Sequence, residues 1–129
     1  MTYEAVLRNR IGDPIDFEAE GDDMGVEKGQ FLRLLDERQV TGAATVGAAC
    51  AGICAREKIA GDGRTNISVY QSGIFDVYCS GAIAIGNDVQ MAEDNHVKVA
   101  LAASSGAITL GRALEVGSTG EVMQIKLTL

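Results

Sequence analysis

Aromatic residues are scarce in this chain, making up 5% of its 129 residues; there is no tryptophan, and one proline and one histidine stand alone. Large rings bury the most area per residue, so a core assembled from small side chains gains less on folding. An isolated subunit is therefore expected to be held weakly, with neighbours in an assembly covering the remaining apolar surface. The lone histidine restricts chemistry further. Any Ser–His–Asp or Cys–His arrangement must pass through His96, which follows Glu93-Asp94-Asn95 and reads as a solvated turn residue. No enzymatic activity is expected.

Clustered basic residues are also lacking. The net charge is −7, from 18 acids and 11 bases. A nucleic-acid binder would carry a basic face, so that class is set aside. No apolar run is long enough to cross a membrane without interruption by glycine or charge. Three cysteines, Cys50, Cys54 and Cys79, are an odd number, and no signal-peptide pattern opens the chain. Reduced thiols in a cytosol-made protein are the expectation. Cys50, Cys54, Cys79 and His96 do not have zinc-knuckle spacing. Cys50 and Cys54 flank a β-type run, point to one face, and read as small buried hydrophobes. The acidic stretch lacks the Asp-x-Asp-x-Asp-Gly loop of a calcium site. Gly61-Asp62-Gly63 and 117–120 lack the Lys-Ser/Thr of a phosphate loop. No cofactor or metal is expected.

What is present is β structure. Between Ala51 and Val89 lie three apolar runs, Ala51–Glu57, Thr65–Gln71 and Ile74–Cys79, separated by Gly61-Asp62-Gly63 and Ser72-Gly73. Short β-prone runs closed by Gly, Asn, Asp and Ser describe a strand meander. Further strands are expected at Val26–Leu35, Asp88–Met91, Val97–Leu101, Ile108–Glu115 and Val122–Leu129. Glu93-Asp94-Asn95 is expected as a turn, and 41–49 and 102–106 as loops. The last strand has the cleanest two-residue period, with Met123, Ile125, Leu127 and Leu129 on one face.

The N-terminal part differs in charge. Residues 11–27 carry Asp13, Asp16, Glu18, Glu20, Asp22, Asp23 and Glu27 and no base, while acids and bases cancel in the remainder. Ile15, Phe17 and Ala19 alternate with Asp16, Glu18 and Glu20, which reads as an edge strand with a carboxylate outer face. Asp13-Pro14 marks a turn that sets residues 1–10 apart, a short strand or arm.

A faint repeat runs through the rest. VEKGQFLRL (26–34) parallels IAIGNDVQM (83–91), with Gly29 against Gly86. AGICARE (51–57) parallels LGRALE (110–115), with Gly52 against Gly111. Two such strand–loop–strand–turn–strand units would pair about a pseudo-two-fold into one small closed or half-closed barrel, which removes exposed edges. The fold expected is all-β: a small β-barrel or β-tulip-like domain from a duplicated strand unit, over residues 24–129, with residues 1–23 as an extended N-terminal arm and acidic edge segment. Lipoyl and biotinyl carriers are also duplicated barrels. Lys28 in VEKG and Lys58 in REKI lack the context of their modified lysine, and a carrier or ligand-binding barrel is the alternative function.

In order, AGICAREK, SVYQSGIFD, SGAIAIG and GRALEVGSTGE resemble the small capsid decoration (cement) proteins of tailed bacteriophages. The resemblance runs from about residue 24 to the end. It implies a barrel or β-tulip domain, a homotrimer, docked on the outer surface of the virion head. There it would bind the major capsid protein and stabilise the shell, without an active site. It also implies that N-terminal residues reach out over the capsid or a neighbour. Separation from the repeated core by the Asp13-Pro14 turn, together with its distinct charge, makes this segment the expected contact arm, with Tyr3, Val6, Leu7, Arg8, Arg10, Ile15 and Phe17 as contact residues.

Overall fold

The computed structural model describes residues 3–21, 24–42, 49–92, 95–100 and 109–129. Asp22 and Asp23, most of the 41–49 loop, Glu93 and Asp94, and the 102–106 loop lie outside the described residues. Among the described residues, eleven strands run in chain order: β1 (Val6–Asn9), β2 (Ile15–Ala19), β3 (Phe31–Asp36), β4 (Gln39–Thr41), β5 (Cys50–Cys54), β6 (Asn66–Tyr70), β7 (Ser72–Cys79), β8 (Asp88–Met91), β9 (His96–Val99), β10 (Gly111–Ala113) and β11 (Val122–Thr128). Strands β2-β4-β3-β5-β6 close one barrel. Strands β7-β11-β10-β8-β9 close a second, because β9 returns to pair with β7.

The duplication is real, and it works differently from the expectation. Each copy closes its own barrel. The copies in fact have five strands each, including the short β4 and β9, whose parallel pairing with β2 and β7 completes the circle. Registers recur position by position. Ala19 faces Val40 as Cys79 faces Val97. Cys54 faces Val69 as Ala113 faces Ile125. Outside the strands, Val26 bridges Lys58 as Ile83 bridges Gly117. The hydrogen bond from Gly29 N–H to the Cys54 carbonyl has its twin from Gly86 to Ala113, both 2.9 Å. Non-glycine residues with positive φ fall at matching hairpins, Arg38 (50°) and Asn95 (63°).

Barrel closure also corrects the reading of β2. It is no edge strand: β6 and β4 pair with its two sides. Its alternation holds, with Phe17 and Ala19 buried and Asp16 and Glu18 exposed. Alternation reports which face meets the core and is silent on what lies beside the strand.

The first barrel is filled by Phe17, Ala19, Val26, Leu32, Val40, Ala51, Cys54, Ile67 and Val69. The second is filled by the larger Phe75, Val77, Met91, Leu110, Met123, Ile125 and Leu127, among others. Phe31, Cys50 and Ile53 leave the first barrel and join the second cluster, with Tyr70 against them. A row on the outer face of β3, β5 and β6 is thus the seat between the barrels. The irregularity opposite Leu32 and Arg33 allows this. It places Cys50 with Ile53 at the seat and Ala51 with Cys54 inside the barrel, so the two cysteines do not share a face as their spacing suggested.

Candidate functional site

The N-terminal segment is tied to the body. Strand β1 pairs with β7, and Ala5 N–H donates to the Gly29 carbonyl at 3.0 Å. Asn95 makes the decisive knot. Its Nδ2 donates to the carbonyls of Tyr3 (2.8 Å) and Gly29 (3.0 Å), and its Oδ1 accepts from Phe31 N–H at 2.7 Å. One buried carboxamide therefore holds the N-terminal segment, the first barrel and the hairpin of the second. Asparagine suits the place because it tolerates φ of 63° and carries both donors and an acceptor.

His96 is not a solvated turn residue. It opens β9, half-buried, with its ring 4.4 Å from that of Tyr3 and 5.9 Å from that of Tyr78; the two tyrosines meet edge-on at 5.1 Å. The missing signal was long-range, since Tyr3 and Tyr78 are remote in sequence. The expected contact residues divide accordingly. Phe17 lies in the first barrel's core and Leu7 packs on the second cluster. Tyr3 lies against the His96 ring at a tilt of 57°. Arg8 pairs with Asp76 at 3.6 Å, and Arg10 bonds Asp13. Val6, Arg10 and Ile15 are left facing outward.

The thiols are held as hydrophobes. Burial pushes Cys50 up to about 12 and Cys54 up to about 11, and raises Cys79 as well. Lys58 is enclosed completely, its Nζ 3.3 Å from Asp62 Oδ1. Asp62 sits below the usual carboxylate range, chiefly because Arg64 N–H donates to it (2.9 Å), with Lys58 adding to this. Buried in this way, Lys58 is not presented on a hairpin tip as a modifiable carrier lysine would be. Its counterpart is Gly117, where the sulfurs of Cys79 and Met123 occupy the space a side chain would need.

Comparing the copies exposes a surface that sequence reading missed. Residues 83–86 run antiparallel to 113–117. Ile85 (69% exposed) and Val116 (66%) stand out from this pair, with Leu114 beside them and Val122 at the start of β11. The matching first-barrel positions are Lys28, Glu57, Ala55 and Asn66. The repeat alignment held this signal, because it sets Ile85 against Lys28 and Val116 against Glu57.

No protein-family model matches the sequence, and no curated protein matches it. A solved structure does match: the head fiber gp8.5 N base of bacteriophage phi29. It shares 15% identity and a TM-score of 0.54, over 89% of this chain and 92% of that one. The likeness is one of fold, and it spans both barrels.

Proposed function

We propose that this chain is a structural protein of a tailed-phage virion, seated on the outside of the head between major capsid proteins and tying neighbours together. The observation that supports this most directly is the fold shared along nearly its whole length with a phage head-fiber base. The ordered motifs that resemble decoration proteins point the same way. Binding would come from apolar area buried at capsomer junctions, multiplied by avidity across the lattice. The exposed apolar end of the second barrel, around Ile85 and Val116, is suited to that burial. The outward Val6, Arg10 and Ile15 would add a second strip of contact, and a homotrimer would present three copies of each.

The test is co-sedimentation with purified mature heads that lack the protein. Saturable binding at a fixed ratio to the major capsid protein is expected, weakened about tenfold or more by I85D/V116D. Protein that stays in the supernatant at every concentration would refute the reading. The double substitution V6S/R10E is the matching test of the N-terminal strip, since removing residues 1–9 would take away β1 and the bond from Asn95 to the Tyr3 carbonyl while leaving Arg10 and Ile15 in place. A longer cut into β2 would open the first barrel and confuse loss of fold with loss of contact.

A further inference from the structure

The outer face of β3, β5 and β6 carries a protein body. Its row Phe31, Ile53 and Tyr70, paired across the three strands, seats the first barrel on the second. The matching row of the second barrel is Asp88, Arg112 and Lys126, paired across β8, β10 and β11. All three are exposed, and they line a groove of about 360 Å³ with Leu114 and Thr128. Arg112 and Lys126 stand directly opposite each other. Like charges so placed repel, and the arrangement relaxes when an anion lies between them. Neither cation has an ion-pair partner within 4 Å among the described residues. Asp88 is paired with Arg112 from the strand on the other side, away from Lys126, and offsets one charge only.

The same face is apolar at its far end. Alternation along β11 turns Val122, Gln124 and Lys126 outward, with Val122 and Lys126 about 13 Å apart at about 3.3 Å per residue. Leu114 lines the groove and stands two residues from the exposed Val116, so groove and apolar end are continuous. The matching face of β6 reads Asn66, Ser68 and Tyr70, which is the reverse order. The first copy is apolar at the seat and polar beyond it; the second is charged at the seat position and apolar beyond it. We infer that this face takes a segment of the major capsid protein carrying a carboxylate for the Arg112–Lys126 pair and, about 13 Å away, aliphatic side chains for Ile85, Val116 and Val122. The inference rests on the virion reading above and adds the chemistry of the partner. A protein is the occupant because the fold already holds one on this face, and because a small anion would leave the adjoining apolar end uncovered. On a chain of net charge −7, an acidic partner is repelled by the surface at large and drawn to this groove, which fixes the docking orientation.

Binding of the full chain to purified mature heads that lack it, followed by co-sedimentation from low to high salt, separates the two contributions. Wild-type affinity should fall as salt screens the carboxylate contact. R112Q/K126Q should bind about tenfold more weakly at low salt and lose most of the salt dependence. I85S/V116S, which leaves the charge unaltered, should bind more weakly at every salt concentration and keep the dependence. K28Q/R56Q removes two exposed cations from the first barrel and should match wild type. Circular dichroism and melting report that each variant is folded; should R112Q/K126Q melt early, R112Q and K126Q are read singly, each about threefold weaker and less salt-sensitive. Wild type that binds without salt dependence, groove variants that keep wild-type affinity, or a K28Q/R56Q variant that loses as much would each overturn the inference and leave the virion reading standing. Wild type that never sediments with heads refutes that reading instead, and this inference with it.

Discussion

A methyl group at Gly52 would strike the carbonyl oxygen of Tyr70, and one at Gly111 that of Lys126. The two glycines match in the repeat because strand β5 crosses β6, and β10 crosses β11, too closely for a side chain. Gly52→Ala is expected to cost about 3 kcal/mol, since it adds a backbone clash to a φ of 141°. Gly63→Ala, at a positive φ with open space around it, should cost about 1 kcal/mol; urea denaturation of both variants checks the contrast. The cysteines give a second prediction at this scale. Burial holds their protons more tightly in the folded chain than the ordinary value of 9.0. Their contribution to stability is therefore intact below pH 9 and is lost as pH rises toward about 11 for Cys54 and about 12 for Cys50. Denaturation midpoints should fall across that window, and C50A/C54A should flatten the fall. An Ellman-type reagent should leave both thiols untouched in the native protein and label them on unfolding.

Among the elements, the turn after β5 shows how the copies diverged. In the first, Asp62 accepts from Ile59 N–H (3.1 Å) and Arg64 N–H and also faces the enclosed Lys58 ammonium. In the second, Glu121 accepts from Ser118 N–H at 2.9 Å, and Gly117 leaves no charge to answer. Asp62→Ala should therefore lower the melting temperature more than Lys58→Met does. The first leaves a buried cation short of its counter-charge, and the second removes the charge altogether. Calorimetry on both variants decides it, and equal losses would show that the pair is not coupled. Strands with a period of two were legible in advance: Met123, Ile125 and Leu127 are buried as β11's alternation required. Strand β4 was not, because three residues carry too little pattern to stand out. The position of β2 inside a barrel was hidden for a different reason, since closure depends on a strand remote in sequence.

For the molecule as a whole, the question is whether two barrels unfold as one. Phe31, Cys50 and Ile53 belong to the second cluster while their strands belong to the first barrel, and Asn95 bonds across the same junction. A single cooperative transition is expected in calorimetry, with matching calorimetric and van't Hoff enthalpies. Phe31→Ala should cost about 3–5 kcal/mol and Asn95→Ala about 3 kcal/mol. Two resolved transitions in wild type would refute this coupling. The small side chains that make the composition look weak are packed here into two narrow barrels and one shared seat, where little volume has to be filled.

Composition and alternation by themselves determined the all-β class, the inward faces of β2 and β11, and the duplication marked by Gly29 with Gly86 and Gly52 with Gly111. These are local matters: a strand's period and a glycine's backbone freedom are written in adjacent residues. Only the tertiary structure decided that each copy closes its own barrel, that Phe31, Ile53 and Tyr70 form a seat while Asp88, Arg112 and Lys126 line an open groove, and that His96 joins Tyr3 and Tyr78 in a three-ring cluster. Those outcomes depend on which distant strands meet, and a barrel's closure is set by pairings that no short stretch of sequence contains.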